Sequence, residues 1–360
     1  MSGWHHAPVA NVLLTTGDVE AFTVGLTLLG SGGGGNPHPF RQSLRRALDA
    51  VGGEFELRDP ADLGDAPVVA TGMLGATSVL TEKLPSGHEL RDAVHALARW
   101  SGTAAAAIMP LESAGLNGLL AVTTAAELGL PLVDADFMGR ALPRVDQFTA
   151  AATGASVTPF ALVEPGGQAV LIDHSSPRAL ERIVRSVVAQ GSGWAGSALG
   201  PYPARSLATG ACAGTLAKAL LLGRAHAETG PEAFAARLGG RVLAAGRTVE
   251  IARIPSATFG RAGIAIVDDG GAVLRIEAEN EYLLALLDGV PVASCPDLLC
   301  VLDRRTSDPI AVDLLRPGDD VLVVVLPGPP WWRATPERLR HVDPRSFGLD
   351  CDAVLLPDVA

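Results

Sequence analysis

The chain has 360 residues, 48% hydrophobic but only 4% aromatic, and its 39 acidic and 28 basic side chains leave a net charge of −11. At roughly 100–200 residues per domain, this length points to two domains, with cores built mainly of Ala, Val and Leu. The acidic balance, with no basic run longer than Arg45-Arg46 or Arg304-Arg305, argues against a nucleic-acid partner.

Met1 to Thr15 has neither a basic start nor a long apolar stretch, so no signal peptide is expected. The longest apolar run, Val321 to Leu326, falls far short of the roughly 20 residues a membrane span needs. A cytoplasmic chain without membrane contact is the expectation. The cysteines are Cys212, Cys295, Cys300 and Cys351; the spacing of Cys295 and Cys300 fits neither Cys-x-x-Cys nor a zinc ribbon, so reduced thiols are expected.

Asp18 signals a helix start, with the helix running to Leu29 and ending at the tract Gly30-Ser31-Gly32-Gly33-Gly34-Gly35-Asn36-Pro37. A second helix is predicted over 39–51. Strands over 65–70, 104–109 and 132–136 alternate with helices over 89–100 and 118–128, the pattern of a layered, largely parallel sheet. Pro165-Gly166-Gly167 reads as a hairpin turn between 161–164 and 168–172. Helices are predicted over 176–190 and 206–226, then strands over 241–253, 261–268, 272–278, 298–302 and 320–326, with Asp269-Gly270 as a hairpin signal. The predicted fold class is α/β. An N-terminal layered α/β domain with a largely parallel sheet spans 1–165. A C-terminal α+β domain over 166–360 has a helical segment and then a β-rich module.

Four consecutive glycines, Gly32 to Gly35, leave backbone N–H groups bare; before a helix such a loop can hold a carboxylate, an oxyanion or a phosphate. No Lys-Ser/Thr follows, so it is not a Walker loop, and the competing reading is a tightly packed turn. Glu82 and Lys83 sit in a loop after a strand, where active sites collect but where a solvated pair is also ordinary. Glu112 and Asn117 flank a glycine turn, Asn117 serving either as a ligand or as a helix cap. Asp134 and Asp136 project from one strand face, and two carboxylates so close need a cation, a metal or a shared proton; Arg140 is the internal candidate. Cys295, before Pro296-Asp297, and Cys212 read as packing residues, the former with a nucleophile as the sharper alternative. His38 adjoins the glycine tract, and Asn280-Glu281 follows a strand. No His-x-x-His spacing declares a metal site.

Together these segments resemble the S-methyl thiohydantoin desulfurase family. The resemblance rests on Gly30–Pro37, Glu82-Lys83, Pro110-x-Glu112 with Asn117, and Gly129 through Asp134-Ala135-Asp136-Phe137-Met138-Gly139-Arg140. Later segments are Gly214-Thr215-Leu216, Asn280-Glu281, Pro296-Asp297-Leu298, Pro317-Gly318, Pro327 to Trp331 and Phe347-Gly348. The chain departs from the family at Ala114-Gly115, where Gly-Gly is usual, and at Arg144, where an acidic residue is usual. The resemblance implies removal of a sulfur substituent from a hydantoin- or thiohydantoin-like ring. It also implies a small-molecule substrate and a homo-oligomer, or an assembly with hydantoinase-type subunits. On this reading Asp134 or Asp136 is the general base, or the two hold a divalent metal as cofactor. Gly32, Gly33, Gly34, Gly35 and Asn36 form the oxyanion side, Glu112, Asn117 and Glu82 contact the ring, and Lys83 or Arg140 balances the carboxylates. Opening of a cyclic amide ring, and a non-catalytic binding subunit, are the alternative readings.

Overall fold

The computed structural model describes residues 12–75, 79, 83, 85–254 and 260–357. Strand β1 (Val12–Thr15) enters helix α1 (Val19–Leu29) through a turn in which the Asp18 carboxylate accepts from both the N–H and the hydroxyl of Thr15. Then come α2 (Arg41–Ala50), β2 (Glu54–Arg58), β3 (Pro67–Gly75), α3 (Glu89–Ser101), β4 (Ala107–Pro110) and α4 (Gly115–Leu128). Short strands β5 (Leu132–Val133) and β6 (Ala135–Asp136), helix α5 (Thr149–Thr153) and the hairpin β7 (Phe160–Val163) and β8 (Ala169–Ile172) follow, then α6 (Pro177–Gln190) and β9 (Trp194–Pro203).

The first sheet has the order β1-β2-β5-β4-β3-β9-β7-β8. Its parallel part is the centre, β2, β5, β4 and β3, where helical crossovers return the chain to the same edge. The flanks are antiparallel: β1 on β2, β9 on β3 and β7, and the hairpin partner β8. The sheet is therefore mixed, because its outer strands arrive by a hairpin and by the return of β9 after α6. Strand β4 is buried on both faces, Ala107 and Met109 packing with Val133 and Phe137, and Ile108 with Leu97 and Val122. That two-sided burial is why it reads as an unbroken apolar run.

The second half begins with α7 (Ala204–Gly210), β10 (Cys212–Ala213), α8 (Thr215–Glu228) and α9 (Pro231–Arg237). The helix expected over 206–226 is thus broken, because Cys212 and Ala213 pair with Asp136 and Ala135 of β6. Next come β11 (Arg241–Ile254), β12 (Arg261–Asp268), β13 (Val273–Glu279), β14 (Glu281–Leu287), β15 (Val290–Ser294), β16 (Leu298–Asp303) and β17 (Asp320–Leu326). Short helices α10 (Pro330–Arg333) and α11 (Pro336–Leu339) close the order. The strands form one antiparallel sheet, β15-β14-β13-β12-β11-β17-β16, curled into a half-barrel.

Strands β16 and β17 join the two halves. Leu298, Cys300, Leu302, Leu322, Val324 and Leu326 face the helical layer with α1 and α8, whereas Leu299, Val301, Val321, Val323 and Val325 face the half-barrel interior. Helices α1 and α8 cross with almost no gap. A Cβ on Gly25 would lie 1.7 Å from the Ala219 carbonyl oxygen, and one on Gly223 would lie 1.6 Å from that of Ala21. Among the described residues no helix is long and apolar enough to cross a membrane.

Candidate functional site

A narrow cleft of about 90 Å³ opens at the carboxyl ends of β3 and β4, where ligands gather in α/β sheets. Its walls come from the glycine tract (Gly34, Gly35), the end of β3, the β4–α4 connection (Glu112), the first turn of α4 (Asn117), the loop after β6 and the β13–β14 turn with the start of β14 (Asn280, Glu281). The cleft therefore lies between the central sheet and the half-barrel.

The half-barrel holds the glycine tract in place. The Ser31 hydroxyl donates to the Leu299 carbonyl (2.7 Å), the Tyr282 N–H to the Ser31 carbonyl (2.8 Å), and the Val312 N–H to the Gly32 carbonyl (3.0 Å). Gly32 takes a φ of +89° and Gly34 one of +77°. Each glycine also meets a neighbour that excludes a side chain: Gly32 the Tyr282 ring, Gly33 the Glu281 carboxyl, and Gly34 the Glu112 carboxyl. The tract is thus both a conformational and a steric requirement, and it brings two glutamates to one cleft.

Glu281 is the first residue of β14, delivered by Asn280, which turns the chain at a φ of +61°. Glu112 sits just ahead of α4. Both carboxyls are buried, and Glu112 Oε1 and Glu281 Oε2 have no hydrogen-bond partner among the described residues. Such orphaned oxygens are costly unless the groups are protonated or a ligand completes them. Burial pushes Glu281 up to about 8, while the Arg140 guanidinium pulls against it. Burial raises Glu112 well above the usual carboxylate range, and the nearby charges of Glu281 and Asp136 add to this. The pair titrates as a unit, with Arg140 favouring ionisation of Glu281.

Arg140 is fully buried behind this pair. It donates from Nη1 to the Asp297 carbonyl (2.7 Å), from Nη2 to the Tyr282 carbonyl (3.1 Å) and from Nε to the Ala141 carbonyl (3.1 Å).

Asp134 and Asp136 lie outside the cleft lining, and their oxygens are occupied. Asp134 Oδ1 accepts from the Leu216 N–H (2.7 Å) in the first turn of α8, with Ala217 N–H beyond it. Asp136 accepts from the N–H of Ser113 through Oδ2 (2.6 Å), and from those of Met138 and Gly139 through Oδ1. Burial pushes Asp134 up to about 7 and Asp136 to about 6, and these N–H groups pull against it. The two aspartates tie α8 and the Met138-Gly139 turn to the sheet. Their donor set does not suit a metal ion, and no group of three or more His, Cys, Asp or Glu among the described residues does.

Of the other residues singled out by sequence, Gly34, Gly35, Glu112 and Asn117 line the cleft. Asn117 also bonds the β3 backbone, accepting from the Met73 N–H (2.7 Å) and donating to its carbonyl (3.3 Å). The Gly33 N–H is taken by the Gly30 carbonyl, and Asn36 accepts from the His38 N–H. Lys83 is exposed and donates to the Ser192 carbonyl (3.0 Å), away from the cleft. Glu82 lies outside the described residues. Burial pushes the Cys295 thiol up to about 12, so it is a protonated packing group. The sequence reading noted Glu281 without a role and did not single out Arg185, which also lines the cleft; the Asn-Glu pair at a strand end was the available signal.

A two-domain α/β chain with an acid-lined cleft between its halves is the class that fold and site define. Residues 17–174 match the S-Me-THD-like N-terminal domain and residues 175–356 the S-Me-THD-like C-terminal domain. The chain belongs to the S-Me-THD-like family. Its fold is also that of a protein from Chromobacterium violaceum with a crystal structure, at 22% identity and a TM-score of 0.73, over 97% of this chain and 99% of that one. No curated protein matches.

Proposed function

We propose that the protein is a hydrolase that removes a sulfur substituent from a small thiohydantoin-type ring, using Glu112 and Glu281 as its acid–base pair. The observation that carries this reading is the pair of buried carboxyl oxygens, Glu112 Oε1 and Glu281 Oε2, on one cleft and without hydrogen-bond partners among the described residues. Family membership supports the ring chemistry.

In an S-methyl thiohydantoin the ring carbon bears S–CH3 and is doubly bonded to nitrogen. Ionised Glu281 takes a proton from water as the water oxygen bonds to that carbon. Protonated Glu112 donates to the ring nitrogen, which receives the electron pair of the C=N bond. The tetrahedral adduct then collapses: the C–S bond breaks, the hydroxyl returns its proton to Glu112 as it becomes a carbonyl, and methanethiolate takes the proton from Glu281. Water and substrate thus give a hydantoin and methanethiol, with both glutamates restored. The differing environments supply the two roles. Arg140 favours the Glu281 anion, whereas burial, with the charges of Glu281 and Asp136 adding to it, keeps Glu112 protonated. Backbone N–H groups of Gly34 and Gly35 are the donors for the oxygen that bonds to carbon. Asp134 and Asp136 hold the framework.

The test is thiol release from an S-methyl thiohydantoin in 18O-water, with the label followed into the ring carbonyl. Labelled hydantoin and methanethiol, lost in Glu281→Gln, are expected. Ring-opened product without thiol would instead assign cyclic amide hydrolysis, and no turnover of either kind would remove the catalytic reading.

A further inference from the structure

We propose that Asp297 is a positioning residue that seats Arg140 behind Glu281, and that the segment 354–356 locks it in that role. The proposal rests on the acid–base reading above and extends it to groups outside the cleft lining.

Arg140 is fully buried, and it donates to the main-chain carbonyls of Ala141, Tyr282 and Asp297. The ionisable groups around its guanidinium include Cys295, Glu281, Cys300 and Asp297. Burial pushes both thiols up to about 12, so among these the opposite charge falls to the two carboxylates. Asp297 thus meets Arg140 twice, through its carbonyl at 2.7 Å and through the field of its carboxylate.

That carboxylate is itself buried and held from three directions. Oδ1 accepts from the Gly328 N–H (2.8 Å), between β17 and α10, and from Arg333 Nη1 (3.3 Å) on α10; Oδ2 accepts from the Leu356 N–H (2.6 Å). Arg333 also donates to the Leu356 carbonyl, so both main-chain groups of Leu356 are taken. Two residues earlier the Val354 N–H donates to Ser294 Oγ (2.9 Å), and the Val354 carbonyl accepts from the Ser294 N–H (2.8 Å). Residues 354 and 356 therefore dock through their backbone, on the end of β15 and on the turn before β16. The same turn is pressed by the β17–α10 connection, where a Cβ on Gly328 would lie 2.2 Å from the Pro296 carbonyl oxygen. Hydrogen bonds to an ionised acceptor are roughly twice as strong as neutral ones, so a carboxylate gripped by three donors is a rigid mount for the carbonyl of its own residue. Releasing Oδ2 loosens that mount. The guanidinium then stands less closely fixed against Glu281, whose ionisation it favours.

The experiment uses the full chain carrying Leu356→Pro, which removes the N–H that Oδ2 accepts. Asp297→Asn is the second variant, since an amide has one acceptor oxygen and cannot serve Gly328 and Leu356 together. The first readout is solvent exchange of the Arg140 Nε–H by NMR, assigned by its loss in Arg140→Lys. It is taken relative to the buried Ile108 N–H, because a general loss of stability moves both protons together. Relative exchange is expected to rise about tenfold in both variants. The second readout is thiol release against pH, whose acid limb is expected to move up by about one pH unit. Unchanged relative exchange, or an unmoved limb, overturns the proposal. A wild type that releases no thiol sinks the hydrolase reading by itself, and relative exchange then decides whether the segment 354–356 seats Arg140. Where Leu356→Pro does not fold, Asp297→Asn decides.

Discussion

Gly33 lies so close to Glu281 that a Cβ in its place would sit 2.4 Å from Oε1 and 2.7 Å from Cγ. Its φ is not in the left-handed region, so alanine meets no backbone penalty there and acts only by pushing the carboxyl aside. Gly33→Ala is expected to fold and to lose about 10²-fold or more in kcat/KM, the usual worth of a positioned base. Gly115→Ala is the contrast. Its Cβ would meet the Gly34 carbonyl oxygen at 2.1 Å, with φ at +58°, so soluble protein itself should be lost. A fully active Gly33→Ala enzyme would show that the Glu281 carboxyl need not stay where it is.

Glu281→Gln and Glu112→Gln should each lower kcat by about 10²–10⁴-fold in folded protein. Wild-type kcat/KM should climb as pH approaches about 8, where Glu281 ionises, and decline where Glu112 follows. A pH-independent rate, or a Glu281→Gln variant with normal turnover, would contradict the assignment.

Stability should carry the same signature with a defined sign. The folded chain holds the Glu281 proton up to about 8, whereas an ordinary glutamate releases it near 4.5. Within that window the unfolded chain binds fewer protons, so stability falls as pH rises and levels off above it. Glu281→Gln should flatten this decline and raise Tm at the alkaline end, by about 2–4 °C for each kcal/mol regained. Thermal unfolding across the window measures it; a Tm that rises with pH in the wild type would refute the burial argument.

Arg140→Met should cost about 3–5 kcal/mol, because three carbonyl acceptors and the Glu281 anion lose a buried cation together. Arg140→Lys keeps the charge but cannot reach all three acceptors. Where it folds, the acid limb of its rate profile should move to higher pH. An unmoved limb would separate Arg140 from Glu281.

Asp134→Asn should leave turnover per folded molecule intact, since an amide oxygen still caps α8. Asp134→Ala should destabilise by about 0.5–2 kcal/mol, again without a change in kcat. A large loss of kcat in stable Asp134→Asn would return this aspartate to the chemistry.

The elements visible in the sequence were those with a clear period or a strong turn. Strands β12, β13, β16 and β17 and the β7–β8 hairpin stand where alternation, apolar runs and glycine turns placed them. Strand β9 was missed because Gly196, Gly200, Pro201 and Pro203 give it the composition of a loop. It is a strand because it pairs with both β3 and β7, and Gly196 lets it pass against the Glu89 backbone, where a Cβ would lie 2.8 Å away. Gly34, Gly35 and Glu112, which line the cleft, were legible because bare backbone and a carboxylate beside a turn are local features. The positions of Asp134 and Asp136 were equally legible, but whether their oxygens are occupied depends on Leu216 and Ser113, which only the fold brings near. Glu281 joins the cleft through a hairpin some 170 residues beyond Glu112, a meeting that no spacing encodes.

The placement of β9 bears on how this chain can be dissected. It lies past the point where the two family segments meet, yet it is hydrogen-bonded between β3 and β7 of the first segment. A fragment ending at residue 174 would leave β3 with a bare edge and the β7–β8 hairpin detached, a template for aggregation. The first family segment thus completes its sheet only with a strand supplied by the second.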